Sequence, residues 1–147
     1  MELKTIVCAF DGSKDSAKAV EVSSELAEKF EAHLVIVHVY SSPMMAYGGV
    51  GGLPAPSIND LEDAAKEGGR AVLERGVAMA RDQGVKARGE LLEAPSTVQA
   101  LVEFSANEAA DLVVVGTRGM TGFKKLILGS VSSGLISHAH CPVLVVR

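Results

Sequence analysis

Nearly continuous apolar runs alternate along this chain with longer segments in which apolar residues recur at helical spacing. Apolar runs without polar alternation are typical of parallel strands that are covered on both faces. The intervening segments have the pattern of amphipathic helices. The alternation therefore predicts an α/β fold, a doubly wound parallel sheet with helices on both faces. The predicted strands are Thr5–Phe10, Leu34–Tyr40, Val85–Leu92, Leu112–Val115 and Val143–Val146.

The predicted helices have recognisable start signals. One helix covers Ser13–Phe30, a second covers Asn59–Gln83 with Asn59 as its N-cap, and a third has Pro95 in its first turn. The last covers Val131–His138. The third strand is more polar than the others, so we expect it at an edge of the sheet.

A segment rich in glycine and proline, Ser41–Ser57, follows the second strand. Loops of this length are uncommon in small domains and are often functional or disordered. Two hypotheses stay open for it. It is either a flap that covers a ligand or binds a partner, or a linker without a role.

The length of 147 residues indicates one domain, residues 1–147, and a composition of 48% apolar and 22% charged residues indicates a globular protein that can fill a core. The net charge of −4 argues against nucleic acid as a partner. No apolar run approaches the ~20 residues of a membrane span, and we expect no signal peptide. Cys8 and Cys141 lie in or beside predicted strands, as expected for reduced thiols in a cytoplasmic protein.

A glycine-rich segment between the fourth strand and the last helix has the composition of an anion-binding loop. Gly116, Gly119 and Gly129 would let backbone amides approach phosphate oxygens, because no Cβ intervenes. The helix start at Ser130, Val131 and Ser132 would add unpaired amides and a positive dipole end. Ser130 is the expected cap, and the hydroxyls of Ser130 and Ser132 could also face a phosphate. These residues predict a phosphorylated small-molecule ligand.

Charged residues of the same segment allow more than one interpretation. Arg118 either lies over the ligand or is an ordinary surface residue, and both hypotheses stay open. Lys124 and Lys125 are interpreted as solvated charges that attract anions. The four histidines do not form a tight ligand set, so we predict no metal held by the protein itself.

The motifs resemble a known family. The spacing Gly116-x2-Gly119-x9-Gly129-Ser130, the opening Ile6–Ser13 and the closing His140–Val146 are similar to the universal stress protein family, over the whole chain. The resemblance implies strand order 3-2-1-4-5. Because ligands bind where the strand order of such sheets reverses, it also implies a site between strands one and four.

The resemblance further implies roles for individual residues. Asp11 would face the ribose hydroxyls, although a turn or helix cap is the other interpretation of this residue. Ala9 and Val39 would line an adenine pocket. The implied ligand is ATP or another adenine nucleotide, with Mg²⁺ possible on its phosphates. In this strand order Val143–Val146 is an edge strand, through which the family resemblance implies a homodimer.

Three classes of function follow. The first is an ATP-binding regulatory or stress-response protein. The second is an enzyme that hydrolyses or adenylates, because Phe10–Ser16 loosely resembles the phosphate loop of ATP pyrophosphatases; at most weak ATP hydrolysis is expected. The third is an interaction module without a nucleotide. The intact glycine spacing favours the first.

Overall fold

The structure, a computed structural model, describes residues 1–43, 55–118 and 128–147. Strands and helices alternate along the described chain, as the apolar pattern predicts. Their bounds are β1 (Thr5–Ala9), α1 (Lys14–Phe30), β2 (His33–Tyr40), α2 (Ala55–Asp82), β3 (Ala87–Glu93), α3 (Thr97–Asn107), β4 (Leu112–Gly116), α4 (Ser130–His138) and β5 (Val143–Val146).

The strands form one parallel sheet in the order β3-β2-β1-β4-β5, which confirms the order implied by the family resemblance. The more polar β3 lies at an edge, as expected. In the centre, Ile6 of β1 is in register with both Leu34 of β2 and Leu112 of β4. The strand order reverses between β1 and β4, so this pair marks the switch point of the sheet.

Alternate residues of the central strands supply two apolar cores on opposite faces of the sheet. On one face Ile6 and Cys8 pack with residues of α1 and α2, and on the other Val7 packs with residues of α3 and α4. All three side chains are fully buried. Burial raises the pKa of the Cys8 thiol to about 12, so this cysteine is a neutral core residue. Both cysteines are free.

Several predicted boundaries differ from the observed ones, and capping explains two of these differences. Helix α3 begins after Pro95, because Ser96 is its N-cap and accepts a hydrogen bond from the Gln99 amide at 3.2 Å. Strand β3 begins later than predicted, because the Val85 amide bonds back to Ala80 O at 3.0 Å and completes the end of α2. Asn59 is not an N-cap, since α2 already begins at Ala55.

The early start of α2 also shortens the predicted loop Ser41–Ser57, whose last residues are helical. Most of the loop, residues 44–54, lies outside the described residues. The hypothesis that it forms a flap therefore stays a prediction.

Gly116 closes β4 where the first turn of α1 crosses it. A Cβ on Gly116 would lie 2.7 Å from the backbone carbonyl carbon of Asp15 and 2.9 Å from its oxygen. Real side chains do not tolerate such distances to backbone atoms, so α1 can approach β4 this closely only because residue 116 is a glycine. This glycine therefore brings the start of α1 next to the end of β4.

We expect Gly116→Ala to lower the free energy of unfolding by about 1–3 kcal/mol, because the added methyl group displaces α1. Urea unfolding followed by circular dichroism measures the change. Gly68→Ala is the matched control, since among the described residues no atom lies within 4 Å of its Cβ position. In the middle of α2 that alanine should stabilise by about 0.5–1 kcal/mol. A Gly116→Ala protein as stable as the wild type would contradict the packing argument.

Candidate functional site

The carboxyl ends of β1 and β4 lie side by side, because Cys8 is in register with Val114. Beyond these ends the chain continues into α1 on one face of the sheet and α4 on the other. A crevice forms at such a divergence in open α/β sheets, and ligands bind there. Both segments that the sequence singles out, the one after β1 and the one after β4, reach this edge.

A tight turn leads from β1 into α1. Gly12 has φ +85°, a left-handed conformation that favours glycine. Asp11 Oδ1 accepts a hydrogen bond from the Ser13 amide at 2.9 Å, and the Ser13 hydroxyl accepts one from the Ser16 amide at 3.2 Å. Asp11 thus has the turn role that the sequence left open, and Ser13 is the N-cap of α1. Contact of Asp11 with a ribose stays a prediction.

Helix α4 begins without a capping side chain. Its N-cap is Gly129, in an extended conformation, and not Ser130 as predicted, because Ser130 is already the first helical residue. The first intrahelical bond runs from the Ser133 amide to Gly129 O at 3.0 Å. The amides of Ser130, Val131 and Ser132 precede that bond and have no acceptor within the helix. They form an amide-rich helix start next to the crevice.

The Ser132 side chain has a structural contact in this helix start. It is 1% exposed, and its Oγ lies 3.0 Å from Gly129 O and 3.1 Å from Thr117 O. The hydroxyl therefore holds the first turn of α4 against the end of β4. Ser130, in contrast, is exposed. A ligand contact through either hydroxyl stays a prediction.

Asp15 and Thr117, which sequence reasoning missed, link the start of α1 to the end of β4. Thr117 donates a hydrogen bond from Oγ1 to Asp15 Oδ2 at 2.6 Å, and Arg118 Nε lies 3.9 Å from the same oxygen. The Arg118 side chain is 39% exposed, so it is both a surface residue and a charge next to the crevice. Asp15 could have been noticed in the sequence, because acidic residues are favourable in the first turn of a helix. Nothing in the sequence pairs it with Thr117, 102 positions away.

Three of the predicted site residues share one face of the sheet. Ala9 of β1, Val39 of β2 and Val131 of α4 are partly buried and pack against the same apolar cluster on the α3–α4 face. Ala9 and Val39 have this common orientation because Ala9 is in register with Val37, two residues before Val39. The structure thus supplies apolar groups along one face near the carboxyl edge.

His38 is a further residue that the site prediction missed. Its Nδ1 lies 2.8 Å from Phe10 O, and since a carbonyl only accepts, Nδ1 carries the proton. This bond fixes the end of β2 against the segment that follows β1. Within residues 1–43, 55–118 and 128–147, no three His, Cys, Asp or Glu side chains are grouped closely enough to hold a metal ion.

Some predicted residues cannot be compared with the structure. Gly119, Lys124 and Lys125 lie outside the described residues.

The described part of the chain contains no helix long and apolar enough to cross a membrane.

Sequence comparison gives relatives over nearly the full length of the chain. The sequence profile of the Universal stress protein family matches residues 2–147. A universal stress protein of Methanocaldococcus jannaschii is 38% identical over 146 residues, which cover 98% of this chain and 82% of the relative.

Solved structures show the same fold. The universal stress protein UspA from Lactobacillus plantarum has a TM-score of 0.82 at 19% identity, with 100% of this chain and 99% of that chain covered. A universal stress protein in complex with cAMP has a TM-score of 0.70 at 26% identity, with 100% and 98% covered. One from Archaeoglobus fulgidus in complex with dAMP has a TM-score of 0.68 at 21% identity, with both chains fully covered. The chain belongs to the universal stress protein family.

Proposed function

We propose that this protein binds an adenine nucleotide, and specifically ATP, in the crevice between β1 and β4, and acts in the cytoplasm as a nucleotide-dependent regulatory or stress-response factor. The observation that carries the proposal is the start of α4, whose first three amides have no acceptor within the helix and adjoin the switch point of the sheet. Such amides and the helix dipole bind phosphate. The structural neighbours in complex with cAMP and dAMP support an adenine ligand.

Each part of the crevice suits one part of a nucleotide. The amides of Ser130, Val131 and Ser132 would bind phosphate oxygens, together with the backbone at Gly116, Gly119 and Gly129. Ala9, Val39 and Val131 would contact the base, since apolar walls suit a purine. Asp11 would accept hydrogen bonds from the ribose hydroxyls, and Arg118 would offset phosphate charge. Mg²⁺ would be held chiefly by the phosphates.

The role of the α4 amides can be tested by removing one of them. Proline at position 130 keeps the helix, because proline suits the first helical position and Gly129 is already extended, with φ −75° and ψ 170°. It removes the amide proton of residue 130. We expect Ser130→Pro to lower ATP affinity at least about tenfold by calorimetry, or ~1.4 kcal/mol, with little change in the unfolding temperature.

Ser130→Ala is the matched control, because it removes the hydroxyl but keeps the amide, and it should bind ATP nearly as well as the wild type. Adenosine binding should change little in either variant, since adenosine carries no phosphate. Equal ATP affinity of the proline variant and the wild type would contradict a phosphate site at the start of α4.

We also propose a homodimer through the free edge of β5. The other edge strand, β3, carries Arg88, Glu90 and Glu93, which oppose strand pairing, whereas β5 contains only half-buried apolar residues. The hydrogen bonds from Val113 N to Pro142 O and from Thr117 N to Val146 O show which β5 carbonyls face β4. Because orientation alternates along a strand, the amide of Val145 points to the free edge.

Val145→Pro should therefore convert the dimer to a monomer, because it removes an edge amide without breaking the bonds to β4. Sedimentation equilibrium at micromolar concentration measures the result. Val145→Ala keeps the amide and should stay dimeric. A wild-type protein that sediments as a monomer would refute the proposal.

A further inference from the structure

We propose that Asp15 is a positioning residue of the nucleotide site: its carboxylate fixes Thr117, and through Thr117 it holds together the two chain segments between which the phosphates would bind. The proposal rests on the proposed function for the identity of the ligand.

Thr117 connects four parts of the chain. Its amide donates to Val146 O at 2.9 Å, and its carbonyl oxygen accepts from the Gly129 amide at 2.5 Å. The same carbonyl lies 3.1 Å from Ser132 Oγ, and the Thr117 hydroxyl donates to Asp15 Oδ2 at 2.6 Å. Thr117 is 3% exposed, so solvent cannot replace a lost partner easily. Thr117 therefore sets where α4 starts relative to β4 and β5.

Asp15 connects Thr117 to α1, which packs on the face of the sheet opposite to α4. It lies in the first turn of α1, where the helix dipole favours a carboxylate. A hydroxyl-to-carboxylate bond of 2.6 Å is in the range of charge-assisted bonds, which are stronger than neutral ones. The Asp15 side chain is 18% exposed, and the Asp15 backbone is held against Gly116 by the close packing described above. The carboxylate is thus a fixed anchor.

Arg118 adds a second link to the same carboxylate. Its Nε lies 3.9 Å from Asp15 Oδ2, an ion-pair distance that is too long for a hydrogen bond. Asp15 therefore fixes the residue that anchors α4 and attracts the cation next to the proposed phosphate position. Because these contacts converge on the start of α4, loss of the anchor should affect phosphate binding more than binding of the base.

Asp15→Ala tests this inference through two readouts. By NMR, exchange of the Gly129 amide should become at least about tenfold faster relative to that of Val114, whose strand stays intact. By calorimetry, ATP affinity should fall at least about tenfold while adenosine affinity changes less than about threefold. Glu25→Ala is the matched control, because it removes the same charge from an exposed position of α1.

Conservative variants separate positioning from a general loss of stability. Thr117→Ser keeps the hydroxyl and should leave both readouts within about threefold of the wild type. Asp15→Asn keeps an oxygen acceptor but loses the charge, so both readouts should lie between those of the wild type and those of Asp15→Ala. Thr117→Val removes the donor. If the two residues act through one bond, the double variant Asp15→Ala/Thr117→Val should be no worse than the more affected single variant.

Three results would overturn the inference. They are unchanged Gly129 exchange in Asp15→Ala, equal acceleration at Gly129 and Val114, and additive effects in the double variant. Failure of the proposed function is a separate outcome. If the wild type binds neither ATP nor adenosine, the nucleotide proposal fails, while the exchange measurement still decides whether Asp15 positions the start of α4.

Discussion

The pairing of β1 with β4 is the constraint on which the rest of this structure depends. Both strands are almost completely buried, so their register is determined by two apolar cores and is not free to slip. From this pair the chain leaves to opposite faces, into α1 and α4. Since helices that follow parallel strands start at the carboxyl edge, the first turns of α1 and α4 meet at the same place. The candidate site is a consequence of the fold.

The two helix starts differ in a way that suits different roles. Helix α1 is capped by Ser13, and its first turn contains a carboxylate that is paired with Thr117. Helix α4 begins at a glycine and has no capping side chain. In α1 the Ser13 hydroxyl accepts from one of the first amides and Asp15 already supplies a negative charge, whereas in α4 no side chain caps the helix and the first three amides have no acceptor in it. An anion would favour the second, which is why we place the phosphates there.

Much of the fold could be predicted from the sequence, because buried parallel strands leave a plain apolar pattern and helices leave a periodic one. The strand order came from resemblance and not from the pattern, which has no information on which strands are neighbours. Helix starts were less predictable where several capping residues lie close together. Pro95 and Ser96 compete in this way, as do Gly129 and Ser130, and only the hydrogen bonds decide between them.

Parts of the site were predictable where a backbone position requires a particular residue type, such as glycine. Contacts between residues that are distant in sequence were not predictable. Gly116 was expected to be a glycine because of a phosphate site. In the structure, the Asp15 backbone lies so close to Gly116 that no side chain would fit there. The contact between Asp15 and Thr117 depends on the crossing of α1 over β4, and no local pattern encodes it.

The most direct test of this account is an NMR titration of isotope-labelled protein with ATP and, separately, with adenosine. The account predicts that ATP shifts the amide resonances of Ser130, Val131 and Ser132 strongly and adenosine shifts them little, while both ligands shift those of Ala9 and Val39. Saturating ATP that leaves the three α4 amides unchanged would contradict it.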